Sequence, residues 1–302
     1  MVKEAAIRGR ITGIKRYEIH DGDGLRTTAF LKGCPLRCRW CHNPENLQRG
    51  KQLGYYAEKC IRCGACAKVC AKVHHVAAGE HTLRLDACDL CGKCAQVCPR
   101  GALTLFGEDI SAQELARQLA QDKLFYDATG GGATLSGGEP LMQAEFCAQV
   151  LRLLKEEGVS TAVDTCLYAP RGALDMVLPF TDTFLVDIKA MDSALHKKWT
   201  GVENERILEN ILYLDGLGKA MEVRIPFIPG INDREMEPIA WFLRGLRSLK
   251  GVKVLAYHAL SGAKYQALRM QYPLEDTRLP TKEEIALVNA VMRGYGLRTV
   301  EV

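Results

Sequence analysis

The chain has 302 residues, 47% of them hydrophobic and 25% charged, with a net charge of +4 and 13 cysteines. That length suits one large α/β domain, or a domain with a small insert, of ordinary globular composition. No Lys/Arg block forms a nucleic-acid stripe, no apolar run approaches the roughly 18–20 residues of a membrane span, and Met1–Arg8 lacks a signal-peptide core, so a cytoplasmic protein without nucleic-acid or membrane partners is expected.

In chain order, Ile11, Ile14, Tyr17 and Ile19 predict a first strand. His20-Asp-Gly-Asp-Gly24 predicts a tight loop, and Leu25–Phe30 a second strand. Three cysteines follow at the spacing Cys34-x3-Cys38-x2-Cys41. Residues 55–106 are cysteine-dense and internally repeated: Cys60-x2-Cys63-x2-Cys66-x3-Cys70 is echoed by Cys88-x2-Cys91-x2-Cys94-x3-Cys98.

After the repeat, helix and strand patterns alternate. A helix over 111–122 opens on Ser111 with Glu114 three residues later, a capping box. Strand patterns run over 133–135, 161–165, 183–189, 222–228, 253–258 and 298–302; helix patterns run over 143–157, 193–198, 203–214, 234–246 and 281–295. Such units argue for a parallel sheet with right-handed crossovers. Without 55–106 the chain is too short for a closed eight-unit barrel. The expected fold is therefore α/β: an open, partial (β/α)6 barrel from 1–54 and 107–302, with 55–106 as an inserted ferredoxin-like α+β domain.

The cysteine spacings carry the chemistry. Eleven of the 13 cysteines fall in runs with only two or three residues between neighbours, where thiolates converge on metal more readily than they pair with distant partners. Cys34, Cys38 and Cys41 can hold three irons of a [4Fe–4S] cube and leave the fourth open for chemistry, whereas four-cysteine ligation serves electron storage. A structural zinc site, which takes four ligands as two pairs, fits three unmatched thiolates poorly.

The run from His20 to Glu45, with Cys-Pro-Leu-Arg-Cys-Arg-Trp-Cys-His-Asn-Pro-Glu at its end, resembles the signature of the glycyl-radical-enzyme activating enzymes. These are radical S-adenosylmethionine enzymes of the pyruvate formate-lyase activase type. The resemblance continues through Gly137-Gly-Glu-Pro140, Asp187-Ile-Lys189 and Arg224-x-Pro-x-x-Pro-Gly-x-Asn232, and departs from the family at Asp23, where its loop usually carries proline.

What the resemblance implies is reductive cleavage of S-adenosylmethionine at the Cys34/Cys38/Cys41 cluster, the catalytic centre. The 5′-deoxyadenosyl radical then takes a hydrogen from a glycine Cα of a partner glycyl radical enzyme. It implies that Gly137, Gly138 and Glu139 bind the methionyl amine, the carboxylate pairing with the ammonium. It assigns Asp164, Asp187 and Lys189 to ligand and monovalent-cation binding, and Arg224 and His258 to cofactor contacts. Trp40, His42 and Asn43 fall near adenine or ribose, and Asp21 and His42 near the partner's glycyl loop.

The repeat follows bacterial ferredoxin spacing, in which the fourth cysteine of each run serves the other cluster. Cys60, Cys63, Cys66 and Cys98 are expected to hold one [4Fe–4S] cluster and Cys70, Cys88, Cys91 and Cys94 another, three clusters in all. The pair would relay electrons from a reduced flavodoxin or ferredoxin. Cys147, on a helix face with Val150, Leu151 and Leu154, reads as core, and Cys166 as a passive residue near the pocket. His74, His75 and His81 read as solvated loop residues without a ligand role.

Two other readings compete. One is a different radical S-adenosylmethionine protein-modifying oxidoreductase with auxiliary clusters, such as a sulfatase-maturing type, against which the His20–Arg26 loop and the Cys41–Glu45 run discriminate. The other is a non-catalytic electron-transfer iron–sulfur protein, which would not cleave S-adenosylmethionine.

Overall fold

The computed structural model describes residues 7–300. β1 (Arg8–Glu18) and β2 (Arg26–Leu31) pair antiparallel around the 20–24 loop. β3 (Gln52–Tyr55) leads into α1 (Ala65–Val69), the hairpin β4 (His74–Ala77)/β5 (Glu80–Leu83), α2 (Lys93–Gln96) and then β6 (Leu103–Phe106), which returns antiparallel to β3.

The rest alternates: β7 (Glu108–Ser111), α3 (Ala112–Ala120), α4 (Lys123–Thr129), β8 (Gly132–Gly137), α5 (Ala144–Glu156), β9 (Thr161–Thr165), α6 (Arg171–Val177), β10 (Thr183–Asp187), α7 (Ser193–Thr200), α8 (Glu205–Gly216), β11 (Met221–Phe227), α9 (Met236–Leu243), β12 (Leu249–Ala256), α10 (Gly262–Ala267) and α11 (Lys282–Gly294). Among the described residues the main sheet has the order β12-β11-β10-β9-β8-β2-β1-β7. Every pair from β2 to β12 is parallel, and β1 and β7 close one edge antiparallel. Six parallel strands among the described residues, joined by helices, make the expected partial (β/α)6 barrel.

Period-two alternation in the strands builds both faces of the sheet. Leu135, Val163, Val186, Val223 and Val254 belong to the main core, together with Leu151, Leu174, Ile211, Ile239 and Met292 from the helices. The alternate residues (Thr134 and Ser136, Asp164, Asp187, Glu222 and Arg224) give the opposite face a polar, charged lining.

Some expectations change. The short helices α4, α6 and α10 carry no strong sequence signal. At α3 only half of the box forms: Ser111 Oγ accepts from the Glu114 N–H at 3.2 Å, while the Glu114 carboxylate turns to Arg117 and Gln118. The complete box is at α11, between Thr281 and Glu284. Of the expected 298–302 strand, Thr299 forms a parallel bridge to Val252; positions 301–302 lie outside the described residues. No helix among the described residues is long and apolar enough to cross a membrane.

Candidate active site

The carboxyl ends of the parallel strands open on a cavity of about 290 Å³. Cys34, Cys38 and Cys41 enter it from the loop after β2. Trp40, His42 and Asn43 line it from the same loop. Gly137 and Gly138 come from the end of β8, Asp164 from β9, Asp187 and Lys189 from the end of β10, Arg224 from β11, and His258 from just past β12. Residues far apart in sequence thus share one wall because parallel strands end on the same side.

The cysteine loop is pinned from both flanks. Lys32, fully buried, donates through Nζ to the Glu45 carbonyl and to Gln52 Oε1, and burial lowers its pKa to about 8. From α10, Lys264 Nζ donates to Asn43 Oδ1 at 2.8 Å and Glu45 Oε1 at 2.7 Å. The His42 and His258 rings meet edge to face at 4.5 Å. Burial, then Lys264 and His258, depress the His42 pKa to about 4, which keeps the ring neutral at pH 7.

The two glycines serve the protein's own backbone. Gly137 has φ +116°, and a Cβ there would sit 2.3 Å from the Leu31 nitrogen; one on Gly138 would sit 2.2 Å from the Gly33 oxygen. Close approach lets Gly138 N–H donate to Leu31 O and Glu139 N–H to Gly33 O, both at 2.8 Å, locking β8 against the start of the cysteine loop.

The Glu139 carboxylate is fully buried and does not line the cavity. Oε1 accepts from Leu141 N–H (2.9 Å) and Thr165 Oγ1 (2.8 Å), Oε2 from Cys166 N–H and its thiol (both 2.8 Å). Burial pushes its pKa up, against the pull of these donors. Both carboxylate oxygens are thus engaged by the protein's own donors.

Around the charged wall, Asp164 accepts from Ser136 Oγ at 2.6 Å and faces Arg224 at 3.5 Å. Arg224 also meets Asp21 at 3.7 Å and Glu222 at 3.5 Å. Burial opposes its charge, but Asp164, Asp21 and Glu222 outweigh it and raise its pKa. Lys189 Nζ donates to Asp187 Oδ2 at 2.7 Å and stays protonated despite burial, chiefly through Asp187. Asp21 is not on the cavity wall; it accepts from Thr28 Oγ1 and pairs with Arg224.

Burial pushes the Asp164 carboxyl up to about 6, Asp187 and Asp21 adding to it and Arg224 opposing. A carboxyl raised in the folded state costs no stability below its ordinary value near 4 and loses stability as pH climbs through the folded value. Asp164→Asn escapes that loss. The melting temperature of the reconstituted variant should therefore gain on the native protein between about pH 4 and pH 6.5. A difference constant over that range would refute the strain at Asp164.

The donor set fits an iron–sulfur cluster. Burial pushes the Cys38 thiol up, and Cys41 up to about 12, whereas contact with Cys166 lowers Cys34; metal pairing would offset the burial that opposes charge at Cys38 and Cys41. Sequence reading undervalued Cys166, which lines the same cavity and touches Cys34. It is no fourth thiolate: its S–H is held by Glu139, and contact with Cys34, burial and the Glu139 charge all push its pKa up. Ser136 and Tyr257 also line the cavity without having been singled out. Cys147 is core as expected, fully buried, with its thiol directed at Pro140 O.

In the cysteine repeat, Cys98 lines one pocket with Cys60, Cys63 and Cys66, and Cys70 lies close enough to Cys94 and Cys88 to share their field. The histidines correct the expectation of a solvated loop. His74 is buried in β4, and His81 in β5 packs against Cys60, Cys66 and Tyr55; only His75 is exposed.

Comparison with known proteins gives the same picture. The family model described as "Radical SAM superfamily" matches residues 28–243. The chain is 40% identical over 294 residues to the choline trimethylamine-lyase activating enzyme of Oleidesulfovibrio alaskensis, covering 94% of this chain and 95% of that protein. It is 37% identical over 296 residues to the trans-4-hydroxy-L-proline dehydratase activating enzyme of Clostridioides difficile, covering 96% and 97%. Among solved structures, Streptococcus suis SuiB bound to precursor peptide SuiA superposes with a TM-score of 0.54 at 14% identity, covering 89% of this chain and 46% of that one, a likeness of fold.

Proposed function

The chain belongs to the Radical SAM superfamily and, within it, to the activating enzymes of glycyl radical enzymes, and from that membership we propose which of its residues perform the reaction. A [4Fe–4S] cluster, S-adenosylmethionine and a glycyl radical enzyme partner come with the family. We assign the catalytic cluster to Cys34, Cys38 and Cys41. When bound, it would supply the one electron that breaks the sulfonium C–S bond of S-adenosylmethionine to methionine and a 5′-deoxyadenosyl radical, and that radical would take a hydrogen from a glycine Cα of the partner, leaving 5′-deoxyadenosine and the glycyl radical.

The chain's own residues hold and orient. The observation that carries the assignment is that the cysteine trio shares one cavity with Trp40, His42, Asn43, Gly137, Gly138, Asp164, Asp187, Lys189, Arg224 and His258. Lys189 and Arg224 offer fixed positive charge to a methionyl carboxylate, and Asp164 and Asp187 offer negative charge to an amine. Backbone at Gly137 and Gly138 forms the wall, and Glu139 holds that wall from behind. A monovalent cation between Asp164 and Asp187 would compete with Arg224 and Lys189 for the same oxygens. Trp40 and the neutral His42 suit an adenine face. Ile228 and Leu255 help keep water from the radical.

The eight remaining cluster cysteines support a two-cluster ferredoxin-like insert over 55–106, crossed in the bacterial manner, which takes electrons from a reduced flavodoxin or ferredoxin. The shared pocket of Cys60, Cys63, Cys66 and Cys98 favours that crossing. The test of function is anaerobic incubation of the reconstituted protein, reductant and S-adenosylmethionine with candidate glycyl radical enzymes from the same source. Electron paramagnetic resonance should report a glycyl radical on one of them, with 5′-deoxyadenosine formed alongside. Cleavage of S-adenosylmethionine that never yields a protein-centred glycyl radical would move the protein to the rival class of radical oxidoreductases.

A further inference from the structure

The two halves of the cysteine repeat are nearly equal as ligand sets. They share one spacing, and their equivalent cysteines match in exposure: Cys63 and Cys91 are exposed, Cys66 and Cys94 buried, and Cys60 and Cys88, like Cys70 and Cys98, intermediate. Ligand type and solvent access would give two clusters of similar potential. The side chains around them are not equal.

At the first site, His81 Nδ1 lies 3.4 Å from Cys60 Sγ, and its Nε2 lies 3.0 Å from His74 Nδ1. Tyr55 holds the His81 ring edge to face, with centroids 4.8 Å apart. The His74 ring is buried, and its Nε2 has no partner. A buried N–H without an acceptor is rarer and costlier than an idle lone pair. His74 therefore carries its proton on Nδ1 and donates it to His81 Nε2. That leaves the His81 proton on Nδ1, aimed at the Cys60 sulfur. Ala102 N–H adds a second donor, to Cys98 Sγ at 3.3 Å.

At the second site no imidazole approaches Cys70, Cys88, Cys91 or Cys94 among the described residues. Asp89 lies there instead, its Oδ1 accepting from Cys91 N–H at 3.3 Å and Oδ2 meeting Lys72 at 3.2 Å in an exposed pair. N–H donors stabilise the more negative sulfurs of a reduced cluster, whereas the Asp89 and Lys72 charges beside the second site largely offset each other.

We propose that His81, its tautomer set by His74, donates to the Cys60 sulfur and holds the cluster of Cys60, Cys63, Cys66 and Cys98 at a higher reduction potential than its twin. His81 is thus a positioning residue for the electron, and the inference rests on the reading of the eight cysteines as two [4Fe–4S] sites.

The experiment is a potentiometric titration of the full-length, anaerobically reconstituted protein, followed by electron paramagnetic resonance. S-adenosylmethionine is added to mark the catalytic cluster by the change it causes there. In the native protein two auxiliary transitions should separate. His81→Leu should lower the higher one and leave the other in place, and His81→Gln, whose amide N–H can reach the same sulfur, should restore part of the shift. An unchanged pair of potentials with about twelve irons still bound overturns the inference and leaves the two-cluster reading standing. About four irons in the native protein, with no auxiliary signal, overturns the reading itself. Should His81→Leu lose its cluster, native protein labelled with 15N-histidine decides: electron spin echo must detect histidine nitrogen at one reduced auxiliary cluster, and its absence overturns the inference.

Discussion

Cys38→Ala is expected to end S-adenosylmethionine cleavage with every reductant, a loss well beyond the roughly 100-fold that removing an outer-shell partner of a metal costs. The trio is the minimum that holds a cube with one corner exposed, and Cys38 itself stands in a buried site where burial disfavours its free thiolate. Nothing nearby can replace the missing ligand, because the Cys166 proton is held by Glu139. Cys91→Ala should behave differently. If the insert relays electrons, turnover driven by a reduced flavodoxin should slow, while cleavage driven by a small chemical reductant persists. Chromatography of 5′-deoxyadenosine separates the cases: equal rates for Cys91→Ala and native protein with the flavodoxin would remove the relay.

The second large effect is expected at Glu139. Glu139→Ala strands the N–H groups of Leu141 and Cys166 and the Thr165 hydroxyl in the interior. Each buried donor left unpaired costs about 1–3 kcal/mol. Even with partial relief, about 3 kcal/mol in a chain of this size should lower the melting temperature by roughly 4–6 °C. Glu139→Gln should fall between, because it keeps one acceptor but turns an amide N–H against donors. Thermal unfolding checks the order. A Glu139→Ala protein that melts with the native one yet binds S-adenosylmethionine poorly would return the carboxylate to direct ligand contact.

Much of the site was legible because its chemistry is local in sequence. Cysteines three and four residues apart announce their metal whatever the fold does, and Asp164, Asp187 and Lys189 stand at the ends of apolar runs, where parallel strands expose polar residues. What could not be read depends on contacts across long sequence distances. Glu139 looks like a ligand residue in Gly-Gly-Glu-Pro, and only the turn of the chain toward Thr165 and Cys166 takes its charge. Lys264 reaches Glu45 from a six-residue helix too short for periodicity to reveal. His81 reads as a loop residue until the β4/β5 hairpin, with Ala77 opposite Glu80, brings it back upon Cys60 and Cys66.

The pairing of β3 with β6 has a wider consequence. Tyr55 lies opposite Leu103, so the two ends of the intervening segment meet side by side, as the ends of an ordinary hairpin loop do. A segment whose ends meet in this way can lengthen, shorten or change its sequence without rethreading the parallel strands, so the electron-input role proposed for it would be free to evolve apart from the radical chemistry.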